Sequence, residues 1–480
     1  MQFLSGEKCI MLATKAFGMG IDIDNIVNIV HFAPTGNVCD YVQEIGRAAR
    51  KPNLEGHAIY EYDTRDFKYI NRLHGLSAIK KNQLVGVIGK IENLYRNQIQ
   101  HQQFKTRKRN AMLLDAENFS YIFNNPMNDN SENINKVKSA LLMIQKDFEG
   151  RQGFSPITVR PVPMFATGYF EIQPSAQARL KRAYHQTVKE VDPIMHICRV
   201  DLEKIWNTGN SGKMSFPKFK YMLYSGDQEL EFNRSYDILP ACRIKITAKN
   251  QGMVTFQHVW KTLKDFIHQQ TIKGNYVSIE EMADVLKKAG FQKEHLYRII
   301  NFCEIFLASL DIYKRAFSHN TQSIMQIRST NQGKDTYRFS NGINRYFQWV
   351  ELLKNKMSGY LSDGTMYLVN RKASTKLKEI STVLGLLEAM DVLEFEISGG
   401  DNNQIYIYVN QELALLNIIR NPMGYHNKLL EEVQKRHKIS VAMMKYMFEN
   451  PFSSDERWDM IEDYFLGKMP SKVKRIEETL

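Results

Sequence analysis

Two short apolar runs with tight punctuation between them constrain the fold more than any other feature of this chain. Cys9–Ala13 reads CIMLA and Ile26–Phe32 reads IVNIVHF. Runs of this kind match strands of a parallel sheet, which are buried on both faces. Between them, Gly18 and Gly20 let the backbone turn sharply and approach a ligand closely. Asp22 then offers a carboxylate that can accept a hydrogen bond from a sugar hydroxyl. After Pro34, Asn37 is suited to cap a helix predicted from Val38 to about Ile45. That helix leads into Gly46, Arg47, Ala48, Ala49 and Arg50.

Arg47 and Arg50 are three residues apart, so on a helical turn they would share one face. Two guanidiniums on one face suit a phosphate better than two ammoniums, because each presents a planar fork of donors. In phosphoryl transfer such arginines neutralise charge building on the transferred group. The plain alternative is an apolar strand, a glycine turn and an unrelated basic helix end.

The segments ATKAFGMGID (Ala13–Asp22) and QEIGRAAR (Gln43–Arg50) resemble the fifth and sixth motifs of superfamily 2 helicases, on the RecQ-like branch. The resemblance implies that Thr14, Gly18, Gly20 and Asp22 couple nucleotide to DNA at a cleft between two motor lobes. It implies that Gln43, Gly46, Arg47 and Arg50 form the arginine side of the ATP site, with Arg47 and Arg50 reaching the γ-phosphate. His31 and Pro34 fall where the family often carries a histidine and a proline. Glu55–Leu73 resembles the last strand of that lobe and the helix after it. Ala49 stands where the family usually has glycine, and alanine fits a helical turn. The resemblance covers about residues 1–75, and implies ATP and Mg2+ as cofactors, DNA as partner and 3′-to-5′ translocation.

The rest of such a motor is missing from the sequence. A phosphate-cradling loop needs G-x-x-x-x-G-K-[ST]. The nearest stretch, Gly209–Met214, has the wrong spacing and puts Met214 where a hydroxyl should ligate magnesium. It reads as a turn. An acidic box on a strand end has no counterpart, since Asp455-Glu456 lies in a polar stretch that reads as a solvated loop or helix start. The chain is therefore expected to be the C-terminal part of a longer helicase, with ATP and Mg2+ bound mainly by residues outside it. A separate or upstream polypeptide would carry the first motor lobe.

Formal net charge is +12 over 480 residues, which favours a polyanionic partner. The five cysteines have no C-x-x-C spacing, so the zinc module common after RecQ motors is not expected, nor any metal site. Scattered cysteines fit a reducing, cytoplasmic setting. No apolar run of membrane-spanning length is present, and no membrane partner is expected.

The expected fold class is an α/β remnant of a RecA-like lobe, followed by mostly helical and α+β domains that include a winged helix. Its expected boundaries are 1–75 for the partial lobe, 76–150 for a helical connector and 151–250 for an α+β domain. A helical region over 251–330, open to helix-turn-helix geometry, precedes a winged helix at 331–420 and a helical tail at 421–480. Leu84, Val87, Ile88, Ile91 and Leu94 recur at helical spacing, and 124–135 reads as a polar loop. A helix is predicted over Ser175–Glu190. Phe216, Lys218, Phe219, Lys220 and Tyr221 fit an ordinary core with snorkelling lysines better than a base-stacking platform. Ser278 and Glu281 form a capping box, with Gly290 closing its helix.

The winged-helix expectation rests on a helix face (Ile380, Leu384, Leu387, Met390), alternation from Leu393 to Ile397, a turn at 399–403, and alternation from Ile405 to Val409. Arg371, Lys372, Lys376 and Lys378 would meet DNA at its front. A DNA-binding adaptor that retains a motor lobe as scaffold remains the alternative to a motor part.

Overall fold

The computed structural model describes residues 1–480 except 1–2, 4–6, 14–22, 24, 52, 64–78, 101–109, 125–129, 163–166, 185–186, 293–295, 317–323, 330–334, 362–363, 370–374, 401–403 and 479–480. The chain forms two compact units. One comprises Met1–Lys80 with Lys428–Leu480, and the other Lys81–Asn427.

In the first unit, β1 (Asn28–His31) and β2 (His57–Tyr60) pair in parallel, in register from Asn28↔His57 to His31↔Tyr60. Parallel neighbours need a crossover, and α1 (Val38–Ile45) supplies it. The helix begins where the sequence requires, with the Asn37 side chain accepting a hydrogen bond from the Asp40 amide at 2.9 Å. Cys9–Ala13, expected as a strand, carries no regular structure. Ile10 and Leu12 are almost fully exposed, so apolar content alone does not earn a place in the sheet. The helix expected after β2 falls within 64–78, outside the described residues.

The core of this unit is closed from the far end of the sequence. Val38 and Tyr41 of α1 pack with Ile439, Met443, Met444 and Met447 of the Lys428–Glu449 helix, together with Met460 and Ile461 of the Ser454–Phe465 helix. Phe448 makes edge contacts with Tyr41 (5.3 Å) and Tyr60 (4.8 Å). The Tyr62 hydroxyl donates to Glu449 at 2.6 Å. The tail thus packs on the opening segment, although Trp458 and Phe465 stay about half exposed. Asp455-Glu456 opens a helix there, with Glu456 completing a capping box on Ser453.

The second unit carries β3 (Ala111–Asp115), β4 (Ile157–Val162), β5 (Thr167–Glu171), β6 (Val188–Asp192), β7 (Ile197–Asp201) and β8 (Leu239–Ala248). It continues with β9 (Met325–Ser329), β10 (Asp335–Phe339), β11 (Gly364–Val369), β12 (Leu393–Ser398) and β13 (Gln404–Val409). A six-stranded sheet runs β11-β8-β5-β7-β6, with β12 also pairing β8. A three-stranded sheet runs β3-β13-β4, and β9 and β10 form a hairpin. The helix Lys81–Gln100 buries the expected face, Leu84, Val87, Ile88 and Ile91. The capping box at Ser278 is formed, and Gly290 has the positive φ of a helix-terminating glycine. Phe216 and Phe219 are core residues of the Phe216–Ser225 helix, while Lys218 is exposed. Burial pushes the Cys198 thiol up to about 11, and raises Cys242 and Cys303 too, so these thiols stay protonated.

Three local expectations give way to long-range pairing. The helix predicted over Ser175–Glu190 ends at Ala183, and its last part becomes β6, hydrogen-bonded to β7. β-Branched Val188 and Val191 suit a strand, the pairing register shifts between Glu190 and Asp192, and an available strand edge outweighs helix propensity. The polar loop at 124–135 turns helical from Asn130. No winged helix is evident at 375–409, because β12 and β13 do not pair with each other. β12 pairs β8 from Leu393↔Ala248, whereas β13 lies between β3 and β4. The alternation within β13 holds, with Ile405, Ile407 and Val409 buried and Tyr406 and Tyr408 outward. Of the turn expected at 399–403, only Gly399 and Gly400 are described, and the strands on either side of it belong to different sheets.

Gly252, at the start of the Gly252–Lys273 helix, shows how tightly β8 and β12 are joined. A Cβ built there would lie 2.2 Å from the Val392 carbonyl oxygen and 2.9 Å from its carbon. Backbone cannot rotate away as a side chain can, and Val392 is also held by the Lys249 amide at 3.1 Å. Gly252→Ala is expected to cost about 3 kcal/mol in chemical denaturation. A neutral result would show that this corner opens freely.

Candidate functional site

The arginine-bearing segment follows α1 directly. The helix stops at Ile45, and the Gly46 amide donates to the Val42 carbonyl at 2.9 Å. The Arg47 and Ala48 amides then donate to Glu44 (3.3 Å) and Ile45 (3.0 Å), tightening the last turn. Ala49 leaves the helix with φ 54, and its amide donates to the Ile26 carbonyl at 2.9 Å. That bond ties the turn to the residues before β1. The His57 amide, donating to Val27 at 2.8 Å, ties the start of β2 to the same edge.

Arg47 and Arg50 therefore do not share a helical face, as their spacing predicted. Arg47 lies in the tightened turn and is half-buried, whereas Arg50 follows the left-handed residue and is exposed, as is Gln43. Neither guanidinium is enclosed in the core. Lys378 is half-buried on the Thr375–Ala389 helix, which also carries Lys376. Thr14, Gly18, Gly20, Asp22, Arg371 and Lys372 lie outside the described residues, as does the Lys376 side chain.

Ala49 corrects a second expectation. It occupies the left-handed region, where a Cβ is costly and glycine is at home. The family's usual glycine thus has a conformational reason at this position. Gly56 accommodates the alanines in turn, since a Cβ there would approach those of Ala48 at 2.8 Å and Ala49 at 2.9 Å. Ala49→Gly is expected to stabilise the chain by about 1 kcal/mol, net of the added freedom of the unfolded chain. Denaturant titration is the check, and a loss of stability would contradict the strain.

Glu44 is a site-forming residue that the sequence did not single out. Its carboxylate meets His31 Nε2 at 2.9 Å, joining the end of β1 to the C-terminal half of α1. The His31 ring also packs 5.3 Å from Tyr41. Burial raises the Tyr41 phenol, and Arg457 from the tail partly offsets this. The available signal was helical spacing, since Tyr41 and Glu44 are three apart and face one way.

The segment thus places Arg47 within the turn that follows α1 and Arg50 just beyond it. Among the described residues, no group of three or more His, Cys, Asp or Glu is placed to hold a metal. No helix among them is long and apolar enough to cross a membrane.

A parallel strand pair and its crossover helix define the class as a β-α-β segment of the α/β kind. Residues 1–52 match the helicase conserved C-terminal domain. The chain is 43% identical over 63 residues to ATP-dependent DNA helicase Q-like 5 of Arabidopsis thaliana, covering 13% of this chain and 7% of that protein. It is 36% identical over 64 residues to ATP-dependent DNA helicase RecQ of Pasteurella multocida, covering 13% and 10%. It is 32% identical over 73 residues to DEAD-box ATP-dependent RNA helicase 27 of Arabidopsis thaliana, covering 15% and 12%. The matched stretches thus span about a tenth of these relatives. No solved structure matches the chain. The opening segment is a superfamily 2 helicase C-terminal domain of the RecQ-like kind.

Proposed function

We propose that this chain works as the C-terminal portion of an ATP-dependent, RecQ-like DNA helicase, supplying the arginine side of the ATP site. The observation that carries this reading is the exposed Arg50 beside a turn fastened to the residues before β1, within the segment that matches the helicase domain. ATP and Mg2+ would be held mainly by a first motor lobe, with Arg47 and Arg50 meeting the γ-phosphate. Thr14, Gly18, Gly20 and Asp22 would couple that site to DNA, with Gln43 and Gly46 on its arginine side. The sequence contains no phosphate-cradling loop, so the 480-residue chain is expected to show no DNA-stimulated ATP hydrolysis. Turnover by the isolated chain on single-stranded DNA would defeat the reading.

The second reading is a non-catalytic DNA-binding adaptor, favoured by the +12 charge together with the missing loop. It predicts salt-dependent DNA binding that ATP does not alter and that falls on loss of Lys372 and Lys376. Competition with RNA tests the nucleic-acid class.

A further inference from the structure

A cavity of about 490 Å³ lies wholly within the second unit. It is bordered by the helices Lys81–Gln100, Leu296–Ala316, Thr375–Ala389 and Glu412–Arg420. Missing side chains help to open it. Gly86 and Gly89 stand one turn apart on the first helix, and a Cβ added at Gly89 would find nothing within 4 Å. A Cβ at Gly86 would meet only ordinary contacts, with the Asn301 amide oxygen at 3.9 Å among them. Val85 and Ile305 supply buried apolar wall.

The charges around this space do not cancel. Two of the three bordering carboxylates are paired with cations. Glu388 binds Lys90, Glu92 binds Arg96, and Asp391 accepts from Gln292 at 3.4 Å. Lys249 is paired with Glu394. Arg298 and Arg420 remain, both exposed at the cavity, and among the described residues no carboxylate pairs with either. Two guanidiniums against the single uncancelled carboxylate of Asp391 leave a net positive border beside neutral amides and apolar wall, which suits an anion with an organic body. The volume lies within the range of small-ligand sites.

We propose that this cavity binds a phosphate monoester of mononucleotide size, with Arg298 and Arg420 on the phosphate and the glycine-lined space receiving the organic part. The phosphate belongs either to a free nucleotide or to the terminal residue of a strand. Arg47, Arg50 and ATP hydrolysis play no part in it, so it stands apart from the motor reading.

The test is calorimetric titration of the full chain with inorganic phosphate, AMP, and a short single-stranded DNA carrying a 5′-phosphate or a 5′-hydroxyl. Binding of AMP, or of the phosphorylated strand in preference to its hydroxyl twin, supports the site, and the preferred probe identifies the source. The Arg298→Ala, Arg420→Ala double variant should bind at least about ten-fold more weakly. Both side chains are exposed, so that variant should fold normally. Gly89→Leu, which fills space without changing charge, should block AMP. Failure of all four probes, or binding that survives the arginine variant, overturns the proposal.

Discussion

Lys90→Met should destabilise the chain by about 3–5 kcal/mol, because it strands a buried carboxylate. Lys90 is almost wholly enclosed, with its side chain 1% exposed. Its ammonium donates to both oxygens of Glu388, at 2.8 and 3.1 Å, and to the Phe395 carbonyl, so its three donors are used. It also lies 3.9 Å from the centre of the Phe395 ring. Glu388 in turn accepts from the Tyr121 hydroxyl at 2.5 Å, and burial with the Glu388 charge pushes that phenol well above its ordinary range. Removing Lys90 leaves Glu388 with donors but no counter-charge. Glu388→Leu added to Lys90→Met should recover much of the loss, since the pair must overcome the desolvation of both ions. Denaturant unfolding of the single and double variants gives the coupling. A Lys90→Met cost below about 1 kcal/mol would mean that the carboxylate finds water or a proton unaided.

The second large effect concerns Arg50, and it follows from the proposed motor role. When the chain is fused behind a RecQ-like first lobe, DNA-stimulated ATP turnover should appear. Arg50→Ala should then lower it by roughly a thousandfold, the scale of a lost transition-state arginine. Arg50→Lys should rescue poorly, because an ammonium cannot reproduce the planar fork. The loss should fall on kcat more than on KM, since the charge it meets grows during the reaction. The bond from the Ala49 amide to Ile26 fixes the turn through backbone, so the substitution should leave folding intact. Unchanged turnover would remove Arg50 from the site.

Local chemistry made some of this fold legible. Asn37 and Ser278 announced helix starts because capping is decided within four residues, and both caps form. The alternation of Ile405, Ile407 and Val409 likewise gave the correct inward face. Long-range competition was not legible. Nothing near Leu393 says that its partner is Ala248, and nothing near Gln404 says that it pairs Asp115 and Val162. A local helix-strand-turn-strand pattern therefore read as a wing. At the candidate site, the identities of Arg47 and Arg50 stood in the sequence, but their geometry did not. The left-handed Ala49 between them breaks the helical spacing, and its bond to Ile26 arises only once the strand is in place.

The return of Lys428–Leu480 to α1 sets an order of events during synthesis. As the chain leaves the ribosome, Val38 and Tyr41 wait for Met443, Met444 and Met447, about four hundred residues later. Domains generally fold as units once their parts are available. The segment bearing Arg47 and Arg50 therefore completes its packing only after the Lys81–Asn427 unit has been made. A premature stop before Met443 would deprive it of its packing while sparing every residue of its helicase motifs.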